Sequence, residues 1–297
     1  MPVNDRRSVL KNLSVRDVMR KTLYILSPDA PIEEAIRYMI KYKVNAVLIS
    51  DPDGTKRGVV SKTDVMGAYY AGIELNTPAE CIMVGPPVHC APADNLIFAL
   101  EKMHGQRVHR VYVEDPEGAV VGVLAYPDIV GLLYRFCQRC SHNLLHRSGT
   151  ETDNPYEAHI TVKEVMSYGV QTQYPDQSLS MVMETLSAQR LGAVLIVDAH
   201  DRPIGVISKT DLMVAYRHGL PVDQPVAGVM NRRVETVGAE ELLMTAVRRM
   251  IFSDYHRVFV HKDETDRSIA GVLTLSDAAK ARSGSCHACV ASRVGPE

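Results

Sequence analysis

Apolar residues recur at helical spacing four times along the chain. They stand at Ile32, Ala35, Ile36, Met39 and Ile40; at Leu96, Ala99, Leu100 and Met103; at Leu179, Val182 and Leu186; and at Leu243, Ala246, Val247, Met250 and Ile251. Steps of three and four residues bring these side chains onto one helical face, which must then be covered. Pro28-Asp29-Ala30-Pro31 introduces the first of these helices, with a proline suited to a first turn. A run of aliphatic residues follows, Val44-Asn45-Ala46-Val47-Leu48-Ile49, closed by the turn Asp51-Pro52-Asp53-Gly54. A second apolar run then opens on Gly58 and ends in a polar turn carrying Asp64. With a short segment at Leu23 to Leu26 ahead of the helix, the pattern predicts strand, helix, strand, strand, helix.

The polar turn is the most repeated piece of the sequence. Gly58 to Tyr69 recurs 147 positions later as Gly205 to Tyr216, with nine of twelve residues identical. Looser copies are Gly122-Val123-Leu124-Ala125-Tyr126-Pro127-Asp128 and Gly271-Val272-Leu273-Thr274-Leu275-Ser276-Asp277. Asp64 and Asp128 are 64 residues apart and Asp211 and Asp277 are 66 apart, so the chain holds four units of about 65 residues in two halves. The halves are expected over 12–140 and 160–290. The polar, Gly- and Pro-broken stretch 141–159 between them reads as a linker, and the two chain ends are expected to be loosely held.

A hydroxyl and a carboxylate delivered just ahead of a helix N-terminus can bind a polar ligand, because the first helical N–H groups have no partner within the helix. The same residues can also cap the helix, a role in which Asp is favoured. Capping by Asp64 or Asp211 leaves the upstream hydroxyl and the intervening Lys62 and Lys209 unexplained; those lysines read either as solvated side chains or as phosphate contacts. The methionines Met181, Met183, Met244 and Met250 read as packing residues.

Composition narrows the class. The 297 residues suffice for two domains, and 46% hydrophobic with 23% charged residues is ordinary for a globular chain. A net charge of -2 gives no bulk attraction to nucleic acid or anionic membrane. No apolar run approaches the roughly 20 residues of a membrane helix, and a cytoplasmic location is expected. Neither a Walker loop nor a nucleophile with a matched base is present, which argues against an enzyme.

Six cysteines include two Cys-x-x-Cys pairs, Cys137/Cys140 and Cys286/Cys289, at equivalent places in the second and fourth units. Cysteines three apart share a helix face, so two such helices brought together by an approximate two-fold axis could offer four thiolates to Zn²⁺. Separate redox pairs and plain exposed thiols are the alternatives. Cys81 and Cys90 read as small buried hydrophobes.

The unit starts Asp17-Val18-Met19, Val165-Met166 and Gly228-Val229-Met230, the β runs and the four Gly-to-Asp turns together resemble the CBS (cystathionine-β-synthase) domain, which occurs in tandem pairs called Bateman modules. The resemblance covers about residues 14–140 and 160–285. It implies an α+β fold: four repeats, each a three-stranded sheet with two helices, paired into two modules that form a pseudo-two-fold disc. It also implies adenosine ligands, AMP, ADP, ATP or S-adenosylmethionine, in clefts between repeats. By position, Asp64, Asp211 and Asp277 would take ribose hydroxyls, and Ser61, Ser208 and Thr274 would face phosphate. Asp128 fits the pattern, but Ala125 stands where its hydroxyl belongs. The pairs His109-Arg110 and His256-Arg257 would reach phosphates, as the planar donor fork of Arg allows, or else form salt bridges. Val44, Ala46, Leu191 and Ala193 would flank the adenine. The expected function is a stand-alone regulatory sensor of adenine nucleotides acting on an unidentified partner protein, as monomer or homodimer. A metal- or thiol-responsive sensor and an S-adenosylmethionine-binding module are the alternatives.

Overall fold

The computed structural model describes residues 13–139, 161–263 and 268–281. Within these residues each unit has the expected order. The first runs β1 (Ile25–Leu26), α1 (Ile32–Lys41), β2 (Ala46–Ser50), β3 (Lys56–Ser61) and α2 (Lys62–Tyr70). The second has β4 (His89–Cys90), α3 (Leu96–Gly105), β5 (Arg110–Glu114), β6 (Val120–Ala125) and α4 (Tyr126–Arg139). A two-residue strand, β7 (Ser167–Tyr168), precedes the third, which comprises β8 (Thr172–Gln173), α5 (Leu179–Ala188), β9 (Ala193–Val197), β10 (Pro203–Ser208) and α6 (Lys209–Arg217). The fourth has β11 (Thr236–Gly238), α7 (Leu243–Phe252), β12 (Arg257–His261), β13 (Ile269–Thr274) and α8 (Leu275–Ala281). The linker 141–159 and the chain ends lie outside the described residues, as do Cys140, Cys286, Cys289 and the side chain of Cys137.

In each repeat the first strand pairs parallel with the second, as the intervening helix demands, and the second pairs antiparallel with the third. The helical faces read from the spacing are the buried ones: Ile32, Ala35, Ile36, Leu96, Ala99, Met103, Leu179, Val182, Leu186, Leu243, Ala246 and Met250 are nearly inaccessible. Met183 and Met244 join them, whereas Met181 is 45% exposed and packs into no core.

The first helix of every repeat ends on a residue that the sequence does not mark as a terminator. Lys43, Arg107, Arg190 and Asp254 have φ between 53° and 58°. The next N–H in each case donates back into the last turn: Val44 to Met39, Val108 to Met103, Leu191 to Leu186 and Tyr255 to Met250. Such left-handed caps usually fall on Gly or Asn, and a larger side chain there costs about 1 kcal/mol or more. The back-bond from the following residue into the last turn holds the conformation.

The chain divides into two compact units. One gathers Thr22–Pro87 and Val170–Val234, hence repeats 1 and 3; the other comprises the described residues of Met1–Lys21, Val88–Gly169 and Glu235–Glu297, hence repeats 2 and 4. In the first unit α2 and α6 meet, with the Tyr69 and Tyr216 rings stacked at 4.9 Å. Tyr69 donates to the Leu220 carbonyl at 2.7 Å, and Tyr216 donates to that of Ile73. In the second unit α4 packs on α8, and one core contains Ile129, Val130, Leu133, Leu275, Ala278 and Ala279.

The opening segment of each repeat belongs to the sheet of its sequence neighbour. Arg20 bridges to Val123 and Val84 to Val59, Ser167 pairs with Val272, and Asn231 bridges to Val206. This crossing accounts for the glycine that starts each repeated turn. A Cβ on Gly58, Gly122, Gly205 or Gly271 would sit 2.9, 2.6, 2.7 or 2.7 Å from the sulfur of Met83, Met19, Met230 or Met166. None of the four glycines has positive φ, so close approach rather than turn conformation is what excludes a side chain. The Met of each unit start and the Gly of each turn are two sides of one contact. Among the described residues, no helix is long and apolar enough to cross a membrane.

Candidate functional site

Ser61 is the N-cap of α2, and Asp64 is its third helical residue. The Asp64 Oδ2 accepts the Ser61 backbone N–H at 2.7 Å and its hydroxyl at 2.7 Å, while the Ser61 Oγ accepts from the Thr63 N–H at 3.2 Å. Ser208 and Asp211 repeat this on α6, where the two bonds to Oδ2 are 2.7 and 2.6 Å long. Thr274 and Asp277 do so again, at 2.9 and 2.6 Å. This is a capping box in which Asp takes the place of the usual Glu. The alternative reading of Asp64 and Asp211 as the helix N-caps is therefore corrected: the hydroxyl residue caps, and the Asp accepts from it.

In the unit of repeats 1 and 3 the two turns exchange contacts. Lys62 Nζ donates to Thr210 Oγ1 and Lys209 Nζ to Thr63 Oγ1, both at 2.8 Å. The two lysines thus have protein partners as well as their charge. Burial pushes Asp64 above the ordinary carboxylate range, with its bonds to Ser61 and the positive charge of Lys209 opposing. Opposite the hydroxyls in the strand register stand small residues, Ala46 beside Ser61 and Ala193 beside Ser208. Val44, Ala46 and Ala193 are buried, and Leu191 is half-buried against the core that holds Val44.

In the unit of repeats 2 and 4 the register partner is an arginine: Arg110 faces Ala125 and Arg257 faces Thr274. Burial lowers the pKa of both guanidinium groups, Arg257 to about 10. Asp277 offsets this at Arg257, while at Arg110 Tyr112 and Asp128 do so and Arg20 adds to the lowering. His109 is exposed, with its ring edge-on to Tyr126 at 5.9 Å. Tyr126 is buried, and its phenol is raised by burial and by the charge of Asp277. His256 is half-buried, and its carbonyl accepts from the Leu275 N–H.

Repeat 2 is built differently at its turn. The Asp128 Oδ2 accepts the Ala125 N–H at 2.8 Å, but no hydroxyl is there to supply the second bond. Its Oδ1 instead meets Arg20 Nε at 2.7 Å.

All four repeats match the model of one family, described as the CBS domain, over residues 15–71, 79–135, 162–218 and 226–284. The chain belongs to the CBS domain family. Among curated relatives, the uncharacterized protein MJ1225 of Methanocaldococcus jannaschii is 23% identical over 206 residues, 68% of this chain and 69% of that one. Inosine-5'-monophosphate dehydrogenase of the same organism is 29% identical over 115 residues, but these are only 22% of the enzyme's length. Of solved structures, that of MJ1225 superposes with a TM-score of 0.74 at 15% identity, over 90% of this chain and 99% of its own. An uncharacterized conserved protein of Pyrococcus horikoshii gives 0.59 at 17%, with the same coverage. These likenesses support the fold of four CBS repeats.

Within the CBS repeats, the structure brings Ser61 with Asp64, Ser208 with Asp211, and Thr274 with Asp277 together. Arg257 lies near Asp277, and Arg110 near Asp128. Arg20, which the sequence reading passed over, joins the last pair; the only signal was a charge directly after Met19 where the other repeats have Val84, Ser167 and Asn231. Among the described residues, no group of three or more His, Cys, Asp or Glu side chains could hold a metal. Cys90 is buried as expected, but Cys81 lies exposed on a short 3-10 turn.

Proposed function

We propose that this CBS-domain regulatory protein is a stand-alone sensor that binds adenine nucleotides, AMP, ADP or ATP, and signals by a conformational change. The observation that supports it most directly is the threefold repetition of a hydroxyl and a half-buried carboxylate at a helix N-terminus. In repeats 1 and 3 the residue opposite the hydroxyl is Ala, leaving room for a flat base; at the same register position repeats 2 and 4 carry Arg, suited to phosphate, facing Ala125 and Thr274. Family membership makes an adenosine-type ligand the natural candidate. The working modules are consecutive repeats, 12–140 and 160–290, a pairing supported by the exchanged opening segments. Ligand would shift whichever equilibrium its differential affinity favours, and the regulated protein would read that shift.

A thermal-shift panel of AMP, ADP, ATP and S-adenosylmethionine tests this. A ligand at 100 times its Kd stabilises by about 2.7 kcal/mol. Asp64→Ala combined with Asp211→Ala and Asp277→Ala should abolish the shift. A shift with S-adenosylmethionine alone would replace nucleotide sensing by a methyl-donor module, and no shift with any of the four would refute the reading.

A further inference from the structure

The four repeated turns differ most at the second, and the difference has two parts that fit each other. Ala125 lacks the hydroxyl that Ser61, Ser208 and Thr274 donate to their carboxylates. Arg20 supplies a donor to the carboxylate oxygen that the cap bond leaves over, at 2.7 Å. Arg20 reaches it because the opening segment of repeat 1 crosses onto the sheet of repeat 2, where Arg20 and Val123 exchange both backbone bonds at 2.9 Å. The equivalent bridging residues over the other turns are Val84, Ser167 and Asn231, none of which carries a charge. The Asp128 side chain is 10% exposed and that of Arg20 45%, so the guanidinium lies on the open side of the carboxylate.

We propose that Arg20 is the built-in occupant of the repeat 2 turn, holding the carboxylate that would otherwise receive a ligand's diol. Arg20 is thereby a specificity-determining residue that removes one of four potential nucleotide positions. The physical reason is competition for one oxygen. A ribose hydroxyl would have to displace a charge-assisted bond that is tethered through the backbone and therefore needs no association entropy. The inference rests on the nucleotide-sensor reading, and it concerns how many positions bind rather than whether any does.

The test is binding stoichiometry by equilibrium dialysis with radiolabelled AMP and, separately, ATP, on the full chain. Asp128→Ala should bind as many equivalents as wild type. Arg20→Ser combined with Ala125→Ser gives repeat 2 the residues that Ser167, Ser61 and Ser208 already provide elsewhere, and it should bind one equivalent more. Arg20→Lys retains the cation and should keep the wild-type number. Melting curves without ligand establish that each variant folds. A loss of one equivalent in Asp128→Ala would show that Asp128 already binds nucleotide and would overturn the proposal. An unchanged number in the double serine variant would overturn it equally. In both cases wild-type binding would leave the sensor reading standing, whereas no binding by wild type would remove that reading and this one together.

Discussion

Gly205→Ala should destabilise the protein, although the backbone at that position is one any residue can adopt. Val206 and Asn231 exchange two backbone hydrogen bonds of 2.8 Å, which holds the crossing segment against the strand. An added Cβ would lie 2.7 Å from the Met230 sulfur and 3.0 Å from the Asn231 carbonyl oxygen. The thioether can swing aside, but the carbonyl cannot move without stretching both bonds. Overpacking of this kind costs about 1–3 kcal/mol. Alanine restricts the unfolded chain more than glycine does and returns about 0.4–1 kcal/mol. The net expectation is a loss of about 1–2 kcal/mol, or a drop of several degrees in Tm at about 2–4 °C per kcal/mol. Gly67→Ala is the control: it lies exposed in α2 with nothing within 4 Å of its added Cβ, and it should gain about 1 kcal/mol. Denaturant melts of the two variants and wild type decide the matter. If Gly205→Ala is as stable as wild type, close approach is not the reason for glycine in these turns. A coupling of at least about 0.5 kcal/mol between Gly205→Ala and Met230→Ala would assign the clash to the sulfur rather than to the carbonyl.

Asp64→Asn should melt no lower than wild type at pH 7. Burial raises the Asp64 carboxyl in the folded state, so its ionised form lowers stability above the folded pKa, and that cost is relieved as pH falls through it. The difference between variant and wild type should therefore shrink from pH 7 towards about pH 4; a variant several degrees less stable at pH 7 would mean that the charged cap bonds outweigh burial. Tyr69→Phe and Tyr216→Phe keep the stacked rings but each leave a carbonyl without its phenol donor, and each should lose about 1 kcal/mol in a chemical melt; no loss in either would refute a structural role for these bonds. The Cys90 thiol is pushed up to about 11 by burial, with the charge of Asp94 adding to the shift and that of Lys102 opposing it. Iodoacetamide at pH 8 should modify exposed Cys81 and spare Cys90, as read by peptide mass mapping.

Much of the fold was legible because its signals are local. The spacing of Ile32, Ala35, Ile36 and Met39 depends only on the helical period, and the Ser61–Asp64 and Ser208–Asp211 pairs depend only on three residues of chain. Such features survive wherever the segment is placed, so four copies could be recognised and aligned without coordinates. Which residue of each pair capped the helix was not legible, because Ser and Asp both serve as caps and only the backbone angles distinguish N-cap from third helical position.

What the tertiary structure alone decided are the contacts between segments far apart in the chain. The left-handed ends at Lys43, Arg107, Arg190 and Asp254 carry no Gly or Asn signal, although each is followed by an N–H that donates back into the last helical turn. The association of repeat 1 with 3 and of repeat 2 with 4 has no mark in any one repeat, since the Tyr69–Tyr216 stack and the α4–α8 core exist only once both partners are present. Arg20 shows the limit most sharply. In the sequence it is one charged residue beside a Met, over 100 positions from Asp128; its meaning arises only when the opening segment pairs with the sheet of repeat 2 and sets its guanidinium against that carboxylate.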